Sequence, residues 1–165
     1  MNLITINSFS TSLYKLFDKF EYERDREKDL IDSTLHTLKK GEVVIYLLQD
    51  KTELIGFIAV SASKLKSNKF SIPGIEIDYL FVDKRYRGKV LEKLNQKASL
   101  YLIDFVEKIA KRLKKEIGLK GIILYPDMQD ETLIKFYMEL GFYKQKVILW
   151  EDKKRETEYW LITKV

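Results

Sequence analysis

One stretch of this chain constrains its architecture more than any other. From Ile75 to Val82 side chains alternate, with Ile75, Ile77, Tyr79 and Phe81 on one face and Glu76, Asp78, Leu80 and Val82 on the other. That is the period of a β-strand. The strand runs into Asp83-Lys84-Arg85-Tyr86-Arg87-Gly88-Lys89, a basic turn containing a glycine. Further on, Ala98 to Ile117 carries Leu102, Ile103, Val106, Ile109, Ala110, Leu113 and Ile117 as an apolar helical stripe, and Gly118 marks its end. Lys111, Lys114 and Lys115 suit the negative end of that helix's dipole. Strand, basic turn and long amphipathic helix, in that order, predict a helix layered on a sheet. Such a turn also offers backbone N–H groups and positive charge to a phosphate.

The rest of the chain fits the same layer. Leu3-Ile4-Thr5-Ile6 predicts a first strand, and helical spacing predicts helices over Ser12 to Phe20 and Asp29 to Lys39, the second stopped by Gly41. Glu21 to Glu27 reads as a charged loop or an exposed helical turn. The runs Val43 to Leu48 and Leu54 to Val60 predict a hairpin, and Lys64 to Pro73 a polar loop. Gly121 to Tyr125 predicts a short buried strand closed by Pro126. Asp130 is placed to cap a helix over Glu131 to Leu140. Tyr143 to Trp150 and Glu158 to Val165 predict a last hairpin around the charged turn Glu151 to Thr157. The order β, α, α, β, β, β, α, β, α, β, β predicts one α/β domain over residues 1–165 with a mixed sheet.

Composition narrows the chemistry. With no cysteine, disulfides and thiol catalysis are excluded, and a reducing compartment is expected. A single histidine, His36, excludes a multi-histidine metal site and reads as a surface or satisfied residue. No apolar run is long enough to span a bilayer, and the start lacks a basic signal region, so a cytoplasmic protein is expected. The net charge of +5 reads first as an ordinary lysine-rich surface, and it also suits an anionic partner such as a nucleotide cofactor or RNA.

Two segments together carry a resemblance. Leu80 to Lys89 and Phe136-Tyr137-Met138-Glu139-Leu140-Gly141-Phe142 resemble the matching parts of the GNAT superfamily, the acetyl-CoA-dependent N-acetyltransferases. The resemblance extends to the element order over nearly the whole chain. It implies a mainly antiparallel central sheet flanked by helices, whose fourth and fifth strands splay apart to admit acyl-CoA. Arg87-Gly88-Lys89 matches the start of the family's pyrophosphate turn, while Val90 and Glu92 stand where further glycines are expected. A glutamate there would repel the pyrophosphate. The distance from Gly88 to Gly121 suggests an insertion over Val90 to Lys97, so that Ala98 and Ser99 open the phosphate-facing helix. The resemblance further implies that the backbone of Leu80, Phe81 and Val82 binds the pantetheine arm, and that Arg85, Arg87 and Lys89 meet phosphates.

In the same family an amine attacks the thioester, and a tyrosine often protonates the departing thiolate. Tyr137 stands at the matching Phe-Tyr step; as an aromatic pair on an amphipathic helix, Phe136 and Tyr137 also read as core. Glu76 and Asp78 are the candidate bases for the amine, or else an acidic row on a half-exposed sheet. Asp130 or Gln129 would replace the asparagine that usually contacts pantetheine. Trp150 and Trp160 read as packing residues. The implied acceptor is an amine on a small molecule or a peptide, and the implied assembly a homodimer. Glu-rich and leucine-rich early segments, Gly56-Phe57 and the lysine cluster from Lys111 to Lys115 loosely resemble toxins of this superfamily that acetylate aminoacyl-tRNA. The altered turn leaves a third reading, a non-catalytic acyl-CoA-binding domain.

Overall fold

In the computed structural model, residues 1–67, 70–126, 130–151 and 154–165 are described, with the side chains of 148–151 and 154–159 set aside. The elements are β1 (Asn2–Ile6), α1 (Ser12–Phe17), α2 (Arg26–Lys39), β2 (Val44–Asp50), β3 (Glu53–Ser67), β4 (Phe70–Val82), a 3-10 turn (Lys84–Tyr86), β5 (Val90–Leu91), β6 (Gln96–Lys97), α3 (Ala98–Ile117), β7 (Gly121–Leu124), α4 (Glu131–Glu139), β8 (Tyr143–Glu151) and β9 (Lys154–Lys164). Hydrogen bonding orders the main sheet β1-β2-β3-β4-β7-β9-β8, and β5 and β6 form a separate hairpin. The β4–β7 pair is parallel. The β1–β2, β2–β3, β7–β9 and β8–β9 pairs are antiparallel. This is the mixed, mainly antiparallel sheet with flanking helices that the sequence predicts.

The chain clusters into two compact units, residues 1–61 with 78–106 and residues 62–77 with 107–165. In the first, β1, β2 and β3 pair in sequence. Alternation along β2 sends Ile45 and Leu47 to one face, where they pack with Leu13, Phe17, Phe20, Ile31, Leu35 and Leu38 from the α1–α2 region. Phe57 is the hub of that core: it is fully buried, with ring centroids of Phe17 and Phe81 both 5.2 Å away. Tyr46 lies on the opposite β2 face, edge-on to Phe105 of α3 at 4.9 Å. Gly56 allows β3 to lie close against the end of β4, because a Cβ there would sit 2.6 Å from the Phe81 carbonyl oxygen.

In the second unit, β4 and β7 are in parallel register from Gly74↔Gly121 to Glu76↔Ile123, and β4 continues to Val82. β9 pairs with both β7 and β8. Leu65, Ile123, Val147 and Ile162 form a buried cluster. The Lys64 to Pro73 segment departs from the expected loop: its described residues extend β3 and β4. Leu65 is buried while Lys64 and Lys66 are exposed, which is the alternation of a strand with one wet face. The expected turn over Glu151 to Thr157 is also tighter, with Glu151 paired directly to Lys154.

Candidate active site

β4 ends at Val82, and Asp83 begins the basic turn. Asp83 is fully buried, and its two carboxylate oxygens accept four hydrogen bonds. Oδ1 accepts from Arg85 N and Arg85 Nε, both at 2.9 Å. Oδ2 accepts from Glu21 N at 2.9 Å and Arg85 Nη2 at 2.7 Å. Burial alone would push the Asp83 carboxyl up, but these bonds outweigh it and hold the group below the usual carboxylate range. Asp83 therefore ties the turn to the α1–α2 loop, and Lys84 N reinforces the tie by donating to Glu21 O at 2.9 Å.

The two arginines assigned to phosphates are already engaged. Arg85 also reaches Glu53 at 2.8 Å and Glu21 at 3.5 Å. Arg87 Nε donates to the Val82 carbonyl at 2.8 Å. Its terminal nitrogens meet Glu23 at 2.6 Å and fork onto both oxygens of Glu27 at 2.9 and 2.8 Å. Glu27 is buried; desolvation would raise its carboxyl, yet hydrogen bonds from Arg87 and from Glu23 N lower it overall. The acidic segment read as a loop or exposed turn is thus a set of partners for the basic turn. Leu80, Phe81 and Val82 do lie at the end of β4, but Arg87 already uses the Val82 carbonyl.

What remains for an anion is backbone and lysine. Lys89 N donates to Tyr86 O at 3.2 Å, and Gly88 takes φ +71, with nothing within 4 Å of where its Cβ would stand. Gly88 and Lys89 are exposed. Val90 to Lys97 is indeed interposed before the helix. It folds as the β5–β6 hairpin, in register Val90↔Lys97 and Leu91↔Gln96, and Lys93 bonds Asp50 at 2.6 and 2.8 Å. α3 then begins at Ala98, which is buried, followed by half-buried Ser99, with no acidic side chain in its first turn. An open glycine turn, a helix start free of carboxylates and the exposed Lys89 and Lys97 fit a pyrophosphate.

The second unit carries the other candidates. Asp130 caps α4, its Oδ1 accepting from Leu133 N at 3.0 Å. Gln129 lies outside the described residues. Tyr137 is buried, its ring edge-on to Phe136 at 5.2 Å and Phe142 at 5.5 Å. Burial pushes its phenol well above the ordinary tyrosine value. Glu76 is half-buried on β4, and Asp78, also half-buried, follows it in the first unit. The Trp160 ring lies tilted against Tyr125, ring centroids 5.0 Å apart, while the Trp150 side chain is not among those described.

Residues 10–142 match the model of the Acetyltransferase (GNAT) family, and the chain belongs to that family. It is accordingly an acetyltransferase that draws its acetyl group from acetyl-CoA. No curated protein matches the sequence. Among solved structures, a Tyr-to-Phe variant of the toxin AtaT bound to the C-terminus of the antitoxin AtaR and acetyl-CoA is 13% identical, covering 99% of this chain and 94% of that one, with a TM-score of 0.70. AtaT complexed with acetyl-methionyl-tRNAfMet is 12% identical, with coverage of 99% and 94% and a TM-score of 0.68. Arabidopsis thaliana NAA60 in complex with a bisubstrate analogue is 15% identical, with coverage of 99% and 98% and a TM-score of 0.58. At such identities these likenesses speak for the fold. Among the described residues, no helix is long and apolar enough to cross a membrane.

Proposed function

We propose that this chain, acting as one domain over residues 1–165, acetylates a primary amine by direct attack on acetyl-CoA, with Tyr137 as the proton donor. The observation that carries the reading is the buried Tyr137 at the end of α4, whose phenol is held protonated at any physiological pH. A neutral phenol can deliver a proton to a thiolate as it leaves. Glu76 or Asp78 accepts the proton of the attacking amine. Acetyl-CoA supplies the activated acyl group. The chain's own part is to hold its phosphates with the Gly88–Lys89 turn and the start of α3 at Ala98 and Ser99, and its pantetheine with the backbone of Leu80 and Phe81. Lys89 and Lys97 supply the positive charge. Asp130 caps α4, the helix that carries Tyr137.

The test is Tyr137→Phe, assayed by calorimetric titration with acetyl-CoA and by turnover over a panel of amines. Turnover should fall about 100-fold, with acetyl-CoA affinity within about twofold of the parent, about 0.4 kcal/mol or less. Equal loss of both, or loss of neither, would remove the proton-donor role.

A second reading concerns the acceptor. The likeness to AtaT, solved with acetyl-methionyl-tRNAfMet, supports an aminoacyl-tRNA amine as the substrate, and Lys111, Lys114 and Lys115 on α3 suit an RNA backbone. Incubation with charged tRNA and acetyl-CoA tests it directly: N-acetylated aminoacyl-tRNA supports it, and acetylation confined to peptides or small amines refutes it. Under either reading the protein works in the cytoplasm, and a homodimer is the assembly we expect.

A further inference from the structure

We propose that Arg87 and Glu27 form a positioning pair for the cofactor turn, so that Arg87 governs acetyl-CoA affinity through the backbone it holds and without touching a phosphate. The inference rests on the reading that the Gly88–Lys89 turn and the start of α3 receive the phosphates.

Three observations carry it, all within one compact unit. First, all three nitrogens of the Arg87 guanidinium are engaged, through four of its five N–H donors: Nε to the Val82 carbonyl, one terminal nitrogen to Glu23 and Glu27, the other to Glu27. An arginine forked onto a buried carboxylate is geometrically matched to it, and a phosphate would have to displace that carboxylate. Second, Glu27 is buried and also accepts from Glu23 N at 3.0 Å, so the carboxylate is itself built into the α1–α2 loop. Third, the clamp closes on the residue pair that bounds the turn. Val82 ends β4 and Arg87 directly precedes Gly88, so one side chain fixes the distance across the whole 3-10 turn. Asp83 pins the other side of the same loop through Glu21 N.

The two roles for Arg87 predict opposite signs at Glu27. If Arg87 pairs with phosphate, Glu27 is a competitor, and Glu27→Gln frees the guanidinium and tightens acetyl-CoA binding. If Arg87 positions the turn, Glu27→Gln loosens it and weakens binding. Charge-preserving Arg87→Lys adds a one-sided check: lysine keeps a cation but cannot span Val82 O and Glu27 together, so parental affinity in it would exclude the positioning role.

Calorimetric titration with acetyl-CoA reads all of these. We expect Arg87→Gln, Arg87→Lys and Glu27→Gln each to raise Kd about tenfold, with the Arg87→Gln/Glu27→Gln double variant no worse than the worse single one, as for members of one interaction. Loss of folded protein would lower the stoichiometry and leave Kd unchanged, so a purely structural effect is distinguishable and would overturn the proposal. Unchanged or tighter binding in Glu27→Gln, or parental affinity in Arg87→Lys, would also overturn it. If Glu27→Gln does not fold, Glu23→Gln, which removes the other carboxylate on Arg87, carries the same test of sign. Ser99→Glu checks the underlying reading, because an acid in the first turn of α3 favours the helix while repelling a phosphate. If Ser99→Glu binds normally, the phosphate site lies elsewhere and the proposal falls with it. If Ser99→Glu weakens binding while Glu27→Gln does not, only the positioning role fails.

Discussion

Asp83→Asn should cost about 3 kcal/mol of stability, worked from the four hydrogen bonds its carboxylate accepts. The two oxygens are equivalent in number of partners, each accepting two N–H donors, so an asparagine loses whichever pair its amide faces. With the amide toward Arg85 N and Nε, one backbone bond and one charged bond go; with the amide toward Glu21 N and Arg85 Nη2, the loss is of the same kind. Both bonds lost are to an ionised carboxylate, each worth about 1.5–3 kcal/mol, so two at the low end give about 3 kcal/mol, and a buried donor left facing another donor adds to the cost. Because the Arg85 side chain is 36% exposed, its lost bond is partly replaced by water and belongs at the low end of that range. For a chain of this length about 3 kcal/mol corresponds to a fall in Tm of roughly 6–12 °C. Urea unfolding, followed by circular dichroism at neutral pH, gives the free energy, and a thermal scan gives the Tm. A loss below about 1 kcal/mol would show that water replaces these bonds at no cost. The account of Asp83 as the buried tie between turn and loop would then be wrong.

Gly56→Ala places a Cβ 2.6 Å from Phe81 O and 3.2 Å from Val82 Cα, both backbone atoms, so β3 and the end of β4 must separate. The expected cost is about 1–3 kcal/mol, read by urea unfolding, with weakened acetyl-CoA binding if the Leu80–Val82 backbone receives pantetheine. Asp83 and Glu27 both have depressed carboxyl pKa values, so the stability they contribute is present above the unfolded carboxylate value of about 4 and is lost as pH falls through their lower folded values. Urea midpoints should be flat above about pH 5 and fall below it, with a shallower fall in Asp83→Asn; an identical acid slope in that variant would contradict the assignment. Tyr137 has a raised pKa, so folding favours the neutral phenol, and its contribution is intact below the unfolded value of about 10 and declines above it. Turnover should therefore show no descending limb from this group below about pH 10, and a limb near pH 8 that vanishes in Tyr137→Phe would refute the buried-phenol assignment.

Much of the architecture was legible because it is written in local pattern. α3 spans the expected Ala98–Ile117, since an apolar stripe and a terminal glycine both mark it. The start of α4 follows from Asp130, whose side chain caps it. Lys64 to Ser67 misleads for a physical reason: only Leu65 among its neighbours is buried, so the average polarity resembles a loop while the alternation belongs to a strand. Periodicity also says nothing of the fate of Arg87. Its partners Glu23 and Glu27 lie 64 and 60 positions away, and a charge in sequence does not name the charge it will meet.

That last point changes what the basic turn means. Read along the chain, Lys84-Arg85-Tyr86-Arg87-Gly88-Lys89 is a cluster of four cations that invites an anion. In the fold, Asp83, Glu53 and Glu21 surround Arg85, and Glu23 and Glu27 surround Arg87. Five carboxylates outnumber the two arginines, so the arginines add no positive field of their own, and the exposed cations left are Lys84 on the 3-10 turn and Lys89 and Lys97 on either side of the β5–β6 hairpin. Recognition of a pyrophosphate then depends more on fixed backbone geometry than on free charge, and geometry of that kind must be held in place. The carboxylates that would be liabilities in a charge-based site are the groups that hold it, which is why neutralising Glu27 is expected to weaken an anion's binding.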